Sequence, residues 1–347
     1  MPMHTTSAKQ TENTYANAPA VSIVLAVYNG EDFLEEQLDS LAAQTHPFDE
    51  LVIRDDGSTD KSVSIIKEWM TRHPGLNVRL LDTKENLGFI RNFCTLLDHA
   101  SGDYIFLCDQ DDRWHEDKLE VMVNAMNEHP EAMLIASSFE FMDAHSKIFT
   151  ITPYKGWTNQ NLLCIEHVNE GGLSQVEWTD ILLHNGFQGC AMLIRKELAR
   201  RYVEDENFIL PHDWQLALLA SLEHGLFYLD KPLFDYRIHS RNTTSLPQAQ
   251  PQSIFEKVAH VFSHYYRTAP FRDRTNMLRS LERTAPELWT EQFERDMHFY
   301  DAYLKAIDDK SFSLYHKLMN TPEKHIMSYK DRIGGYLYIL FGRKPKH

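Results

Sequence analysis

Four short runs of apolar, β-prone residues recur in the first third of this chain, and each is set off by a segment with helical spacing or a polar turn. The runs are Val21–Val27, Leu51–Arg54, Val78–Leu81 and Tyr104–Cys108. They are apolar throughout and do not alternate with polar residues, as expected of strands covered by helices on both faces. Between them, Asp32 to Gln44 places Phe33, Leu34, Leu38, Leu41 and Ala42 on one side. Asp60 opens a second helical pattern through Val63, Ile66 and Met70, and Arg91 to His99 forms a third. Strand and helix alternating at such intervals predict βαβ units and a mainly parallel sheet.

Sheets of this kind bind ligands at the carboxyl ends of their strands. The polar motifs of the N-terminal half all fall there: Tyr28-Asn29 after the first run, Asp55-Asp56-Gly57-Ser58 after the second, and Asp109-Gln110-Asp111-Asp112 after the fourth. Three carboxylates at one strand end repel one another and are costly unless a cation shares them. A hard divalent ion, Mg²⁺ or Mn²⁺, takes oxygen ligands of this type together with substrate phosphates. Taken alone, the acidic run also fits a solvated loop capping the next helix. No Gly-x-Gly-x-x-Gly and no Gly-Lys-Ser follows the first strand, which argues against dinucleotide dehydrogenases and P-loop enzymes.

The formal net charge of −15 argues against nucleic acid as a partner. Cys94, Cys108, Cys164 and Cys190 are scattered, without a Cys-x-x-Cys pair, so neither a disulfide framework nor a zinc site is expected. Met1 to Ala20 reads as a polar tail without the apolar segment of a signal peptide. No stretch reaches the roughly 20 apolar residues that span a bilayer. The expectation is a cytoplasmic protein, soluble or peripheral at the inner face of a membrane. After Pro130, Ala132 to Ser138 and Cys190 to Ile194 read as strands, separated by an irregular stretch from Tyr154 to Asn185. Long irregular segments are usually functional, and an acceptor-binding region is expected there. From Ser253 onward the composition favours helices.

The segments Val21–Asn29, Asp55-Asp56-Gly57-Ser58-Thr59-Asp60, Asn86-Leu87-Gly88, Gly102-Asp103-Tyr104 and Asp109–Asp112 stand in the order and rough spacing of glycosyltransferase family 2, which the chain resembles. The resemblance covers about residues 20–125 and extends less closely through Tyr236-Arg237-Ile238-His239. The Cys-Asp-Gln-Asp-Asp form with Trp114 after it is similar to the branch that includes bacterial rhamnosyl- and galactosyltransferases. The resemblance implies an α/β GT-A fold, Rossmann-like, with a C-terminal helical extension. It also implies an inverting, metal-dependent transfer from a UDP- or dTDP-sugar to a saccharide or lipid-linked saccharide hydroxyl, in surface polysaccharide synthesis.

The same resemblance implies residue roles. Tyr28 stacks on the nucleobase and Asp56 accepts its ring N–H, with Asp55 and Gly57 ordering the turn and Asp60 capping a helix. Asn86, Gly88 and Arg91 approach the donor. Asp109 and Asp111 form the Asp-x-Asp pair, with Asp111 the leading metal ligand and Asp109 facing ribose or metal. Gln110 lies against the donor, and Asp112 either bonds the donor sugar or holds the loop. Asp213 opens a helical run, where the dipole favours a carboxylate, and stands where family members carry the catalytic base. Gly189, Cys190, His212 and Trp214 face the acceptor. His239 ligates metal or touches diphosphate, while Arg237 or Arg241 neutralises phosphate.

The expected organisation is a tail (1–20), a nucleotide-sugar half (21–130), an acceptor and catalytic half (131–249) and a helical region (250–347). Tyr336–Phe341 followed by Arg343-Lys344-Pro345-Lys346 fits either a membrane-surface element or a packed terminal helix. The C-terminal helices can also mediate homo-oligomerisation. Two rival functions stay open: a sugar-1-phosphate nucleotidyltransferase, which wants a basic Gly-rich loop where Tyr28–Asp32 is acidic, and a non-catalytic nucleotide-sugar-binding subunit.

Overall fold

The computed structural model describes residues 18–81, 85–151, 168–182, 184–240, 242 and 261–342. The first βαβ units run β1 (Val21–Val27), α1 (Leu34–Ala42), β2 (Glu50–Asp55), α2 (Ser62–Arg72), β3 (Val78–Leu81), α3 (Phe89–His99) and β4 (Tyr104–Asp109). β1 pairs in parallel with β2 and β4, and β2 with β3. Val21, Ile23, Val24 and Leu25 are all fully buried, as are Leu51, Val52 and Ile53. Both faces of these strands are therefore covered, and the uniform apolar runs have their cause.

Beyond β4 come β5 (Arg113–Trp114), α4 (Lys118–Glu128), β6 (Leu134–Asp143), β7 (Ile148–Phe149), β8 (Leu173–Gln175), β9 (Met192–Arg195), α5 (Lys196–Asp205), α6 (His212–Ser221) and β10 (Leu226–Ile238). The sheet order is β3-β2-β1-β4-β9-β6-β10-β5, with β7 on β6 and β8 on β10. The sheet is mixed: β9 is inserted antiparallel to both β4 and β6, while β6 and β10 run parallel.

Two of these pairings build the site. β4 and β9 are matched at Phe106↔Leu193. Carried three residues further, that register sets Cys190 opposite Asp109. β5 and β10 are matched at Asp235↔Arg113, which carries Asp111 and Asp112 alongside Tyr236 and Arg237. Antiparallel pairing thus delivers distant segments to the carboxyl end of β4.

The C-terminal helices are α7 (His264–Thr284), α8 (Glu291–Asp308), α9 (Phe312–Leu318) and α10 (Tyr329–Phe341). They close an aromatic core of their own, including Phe271, Phe299, Tyr300, Tyr303, Tyr315 and Tyr338. Met277 and Leu281 of α7 belong instead to the main core under the sheet. A buried polar link joins the parts, since Asn207 Nδ2 donates to Ser280 Oγ at 2.9 Å and Ser280 Oγ donates to Gln215 Oε1. Among the described residues no helix is long and apolar enough to cross a membrane.

Candidate active site at the carboxyl edge of the sheet

The tips of β1 and β2 are tied together by side chains reaching backbone amides. Gln110 accepts from Tyr28 N at 2.7 Å and donates to Tyr28 O at 2.8 Å, so the amide expected to touch a donor is spent on aligning β1 with β4. Asn29 Oδ1 accepts from Thr59 N, and Ser58 Oγ accepts from Asn29 N. These ties leave the Tyr28 ring 49% exposed above the strand end. Asp55 accepts from Gly57 N and Ser58 N, ordering the turn. Asp60 accepts from Ser62 N at the start of α2.

Asp56 is buried, and its two oxygens accept from Leu87 N (2.8 Å) and Gly88 N (2.9 Å) while Arg54 pairs with it from behind. The carboxylate thereby holds the Asn86-Leu87-Gly88 turn against β2. Gly88 has φ +75°, a left-handed conformation that a side chain would strain. Arg91 lies on the outer side of α3, its guanidinium 4.7 Å from the Phe208 ring centroid, and the structure gives it no contact with the acidic run.

In the acidic run the carboxylates have distinct places. Asp111 Oδ2 lies 2.8 Å from His239 Nε2, and both side chains keep a small open edge. His239 rests on Phe33, ring centroids 4.8 Å apart, and the Arg237 guanidinium lies over the same ring. Asp112 is fully buried and accepts from Arg237 N at 3.0 Å. Of its two expected roles, the structure gives it that of holding the loop. Arg237 requires a correction: its side chain is 1% exposed, donates to Asp111 O and Ser146 Oγ, and pairs with Glu36. A guanidinium so engaged positions the acidic loop and has no free face for a phosphate. Arg241, the other candidate, lies outside the described residues.

Asp109, Asp112 and the Cys190 thiol bring their polar atoms within 4.8 Å of one another. Burial, with the neighbouring Asp111 and Asp213 charges, pushes Asp109 up to about 7. Burial also raises Asp112 well above the carboxylate range and Cys190 well above the thiol range. A divalent cation relieves this repulsion. The Asp109 and Asp111 oxygens are the ligand type of Mg²⁺ or Mn²⁺, and the His239 imidazole stands beside them as a nitrogen donor. The Cys190 thiol, soft and held protonated, does not.

The charge behind the run is Lys118. It is fully buried, its Nζ donates to Cys190 O at 2.6 Å, and it lies 4.0 Å and 4.2 Å from the ring centroids of Trp114 and Phe234. Burial lowers its pKa to about 8, which still leaves an ammonium at neutral pH, and cation–π contacts replace part of its hydration.

Asp213 lies in the first turn of α6. Burial pushes it up to about 6, while hydrogen bonds from Trp214 N and Asn185 pull it down. Its charge is one of the influences that raise Asp109. The four residues expected to face an acceptor are all buried. Trp214 is a correction, since its indole is buried and donates to Ile181 O at 2.9 Å. His212 is 6% exposed, stacks on Phe93 at 4.0 Å between centroids, and is pushed by burial down to about 3, so it is neutral. Neither of its ring nitrogens has a hydrogen-bond partner among the described residues. A Cβ on Gly189 would stand 2.6 Å from His212 Nε2, so only glycine fits there. Cys190 is fully buried. Of the stretch expected to bind the acceptor, 154–167 and 183 lie outside the described residues.

Sequence reasoning missed Lys118, Glu36 and Phe33. Lys118 carried a signal, because it stands four residues before Met122 on the apolar side of α4. Glu36 carried none, since a Glu on an amphipathic helix is ordinarily solvated.

A parallel βαβ half that carries an Asp-x-Asp run at the end of β4, continued by an antiparallel insertion that returns a His beside that run, has the GT-A fold. The chain belongs to glycosyltransferase family 2: the model of that family, described as Glycosyl transferase family 2, matches residues 22–201. An uncharacterized protein of Mycobacterium tuberculosis is 41% identical over 242 residues, which are 69% of this chain and 65% of that relative. The chain thus spans about two thirds of that relative's length. The dTDP-rhamnosyl transferase RfbG of Shigella flexneri is 28% identical over 232 residues, 63% of this chain and 72% of the relative. Among solved structures, S. aureus TarS in complex with UDP-GlcNAc shares the fold, with TM-score 0.52 and 15% identity over 92% of this chain and 89% of that one.

Proposed function

We propose that this chain is an inverting glycosyltransferase that moves a sugar from a UDP- or dTDP-linked donor to a hydroxyl of a saccharide or lipid-linked saccharide, in surface polysaccharide synthesis. One observation carries the reading. His212, the neighbour of Asp213 at the start of α6, abuts Gly189, and the thiol of the next residue, Cys190, lies within 4.8 Å of the Asp109 carboxylate at the end of β4. A candidate base and the candidate diphosphate end of the cleft therefore share one space. The dTDP-rhamnosyl transferase relative supports a pyrimidine nucleotide donor.

The acceptor oxygen bonds to the anomeric carbon as the bond from that carbon to the diphosphate oxygen breaks, and the electron pair departs with the nucleoside diphosphate. Asp213 takes the hydroxyl proton. A carboxyl poised at about 6 is mostly ionised at neutral pH yet basic enough to accept it. Asn185 and the Trp214 amide fix its orientation. His212, neutral beneath it, does not compete for the proton. Tyr28 offers its ring face to the nucleobase, and Asp56 sets the Asn86–Gly88 turn at the donor's rim. Asp109, Asp111 and His239 would hold Mg²⁺ or Mn²⁺, which would supply Lewis acidity toward the leaving diphosphate.

The test is a donor-hydrolysis screen across UDP-, dTDP- and GDP-sugars with Mg²⁺ or Mn²⁺. Slow hydrolysis confined to UDP- or dTDP-sugars is expected. Tight binding of a donor with no turnover under any acceptor would replace this reading with that of a binding subunit.

A further inference from the structure

The last helix is apolar on two sides. α10 turns Gly334, Gly335, Tyr338 and Ile339 inward, onto the C-terminal core. Its opposite side carries Tyr329, Ile333, Leu340 and Phe341, exposed by 70%, 41%, 54% and 69%. At about 100° per residue these four and the half-buried Tyr336 and Leu337 fall within an arc of about 140°. Phe312 of α9, itself 48% exposed, extends the patch, with its ring 5.5 Å from Tyr336. A surface helix normally presents polar residues outward, and one that is apolar all round is covered by something.

The charge around this face narrows what covers it. Residues 310–347 hold eight Lys and Arg against Glu323 and Asp331, a net +6 in a chain whose total is −15. Exposed Lys330 falls within the same arc, near the start of the helix, and the sequence after Gly342 adds Arg343, Lys344 and Lys346. Two copies meeting face to face on this patch would oppose like charges. An apolar arc within a basic stretch of sequence matches a bilayer interface with anionic headgroups. We propose that this face of α10, within that basic stretch, docks on an anionic lipid surface.

The experiment is co-sedimentation of the full chain with phosphatidylcholine vesicles, with and without phosphatidylglycerol. Binding that requires the anionic lipid and weakens with salt is expected. The triple variant Arg343→Gln, Lys344→Gln, Lys346→Gln should bind on the order of 100-fold more weakly. The pair Leu340→Ser, Phe341→Ser should lose roughly tenfold or more. Circular dichroism melts unchanged from the parent would show both variants folded. Absence of vesicle binding, or binding that both variants retain, would overturn the proposal. A dimer in sedimentation equilibrium that Leu340→Ser, Phe341→Ser dissolves, without vesicle binding, would assign the face to a second copy. The readout is sedimentation, so its failure leaves the proposed reaction untouched.

Discussion

Asp213 is held between two opposed influences. Burial raises its carboxyl to about 6, and the Trp214 and Asn185 donors restrain that rise. The helix dipole read from sequence keeps it ionised at neutral pH, but with a narrower margin than an exposed capping Asp would have. Asp213→Asn should lower kcat by roughly 10²–10⁴-fold while donor affinity by calorimetry stays near the parent's; a variant with parental kcat would remove Asp213 from proton transfer. The parent's kcat should fall as pH drops through about 6. Asp109 gives a stability counterpart. Its folded pKa of about 7 lies well above that of an ordinary aspartate, so its contribution is favourable below the unfolded pKa and is lost as pH rises through about 7. Asp109→Asn should therefore raise the metal-free melting temperature more at about pH 8 than at about pH 5. An equal gain at both would show that Asp109 is not held protonated by its surroundings. The role proposed for Asp213 rests on the family pattern, because a carboxylate in a first helical turn is common. Lys118 was legible in principle, from its position on an apolar helix side.

The strands β1 to β4 could be read from sequence because burial on both faces writes itself as unbroken apolar runs. The later strands could not be ordered, since the insertion of β9 between β4 and β6 is decided by packing between distant segments. β5 and β7, two residues each, are too short to carry any pattern. β6 runs on to Asp143, beyond the expected Ser138, because β10 keeps pairing with it. The tie between α1 and the end of β10 was equally invisible. Glu36 bonds Arg237, Arg113 and Ser146, and so fixes the strand end from which His239 reaches Asp111. Glu36→Gln leaves a buried guanidinium short of its counter-charge. The expected loss is roughly 1–3 kcal/mol in urea unfolding, together with a higher Mn²⁺ concentration for half-maximal activity. Parental stability and metal dependence together would show that Arg237 finds other partners.

On the proposed reading, a chain of net charge −15 that gathers carboxylates at one sheet edge would bind an anionic donor through a cation. EDTA should stop turnover and Mg²⁺ or Mn²⁺ restore it, measured by release of nucleoside diphosphate; full activity in chelator would remove the metal from the reaction. The C-terminal helices have a core of their own yet share α7 with the main one, so loosening of either is expected to reach the other through Ser280 and Gln215. The ammonium enclosed by Trp114 and Phe234 has one more consequence. Amine-reactive reagents cannot acylate Lys118 while its aromatic box is shut. Its labelling, followed by mass spectrometry against that of the exposed lysines, should lag until the whole sheet opens, which makes this side chain an internal clock for global unfolding.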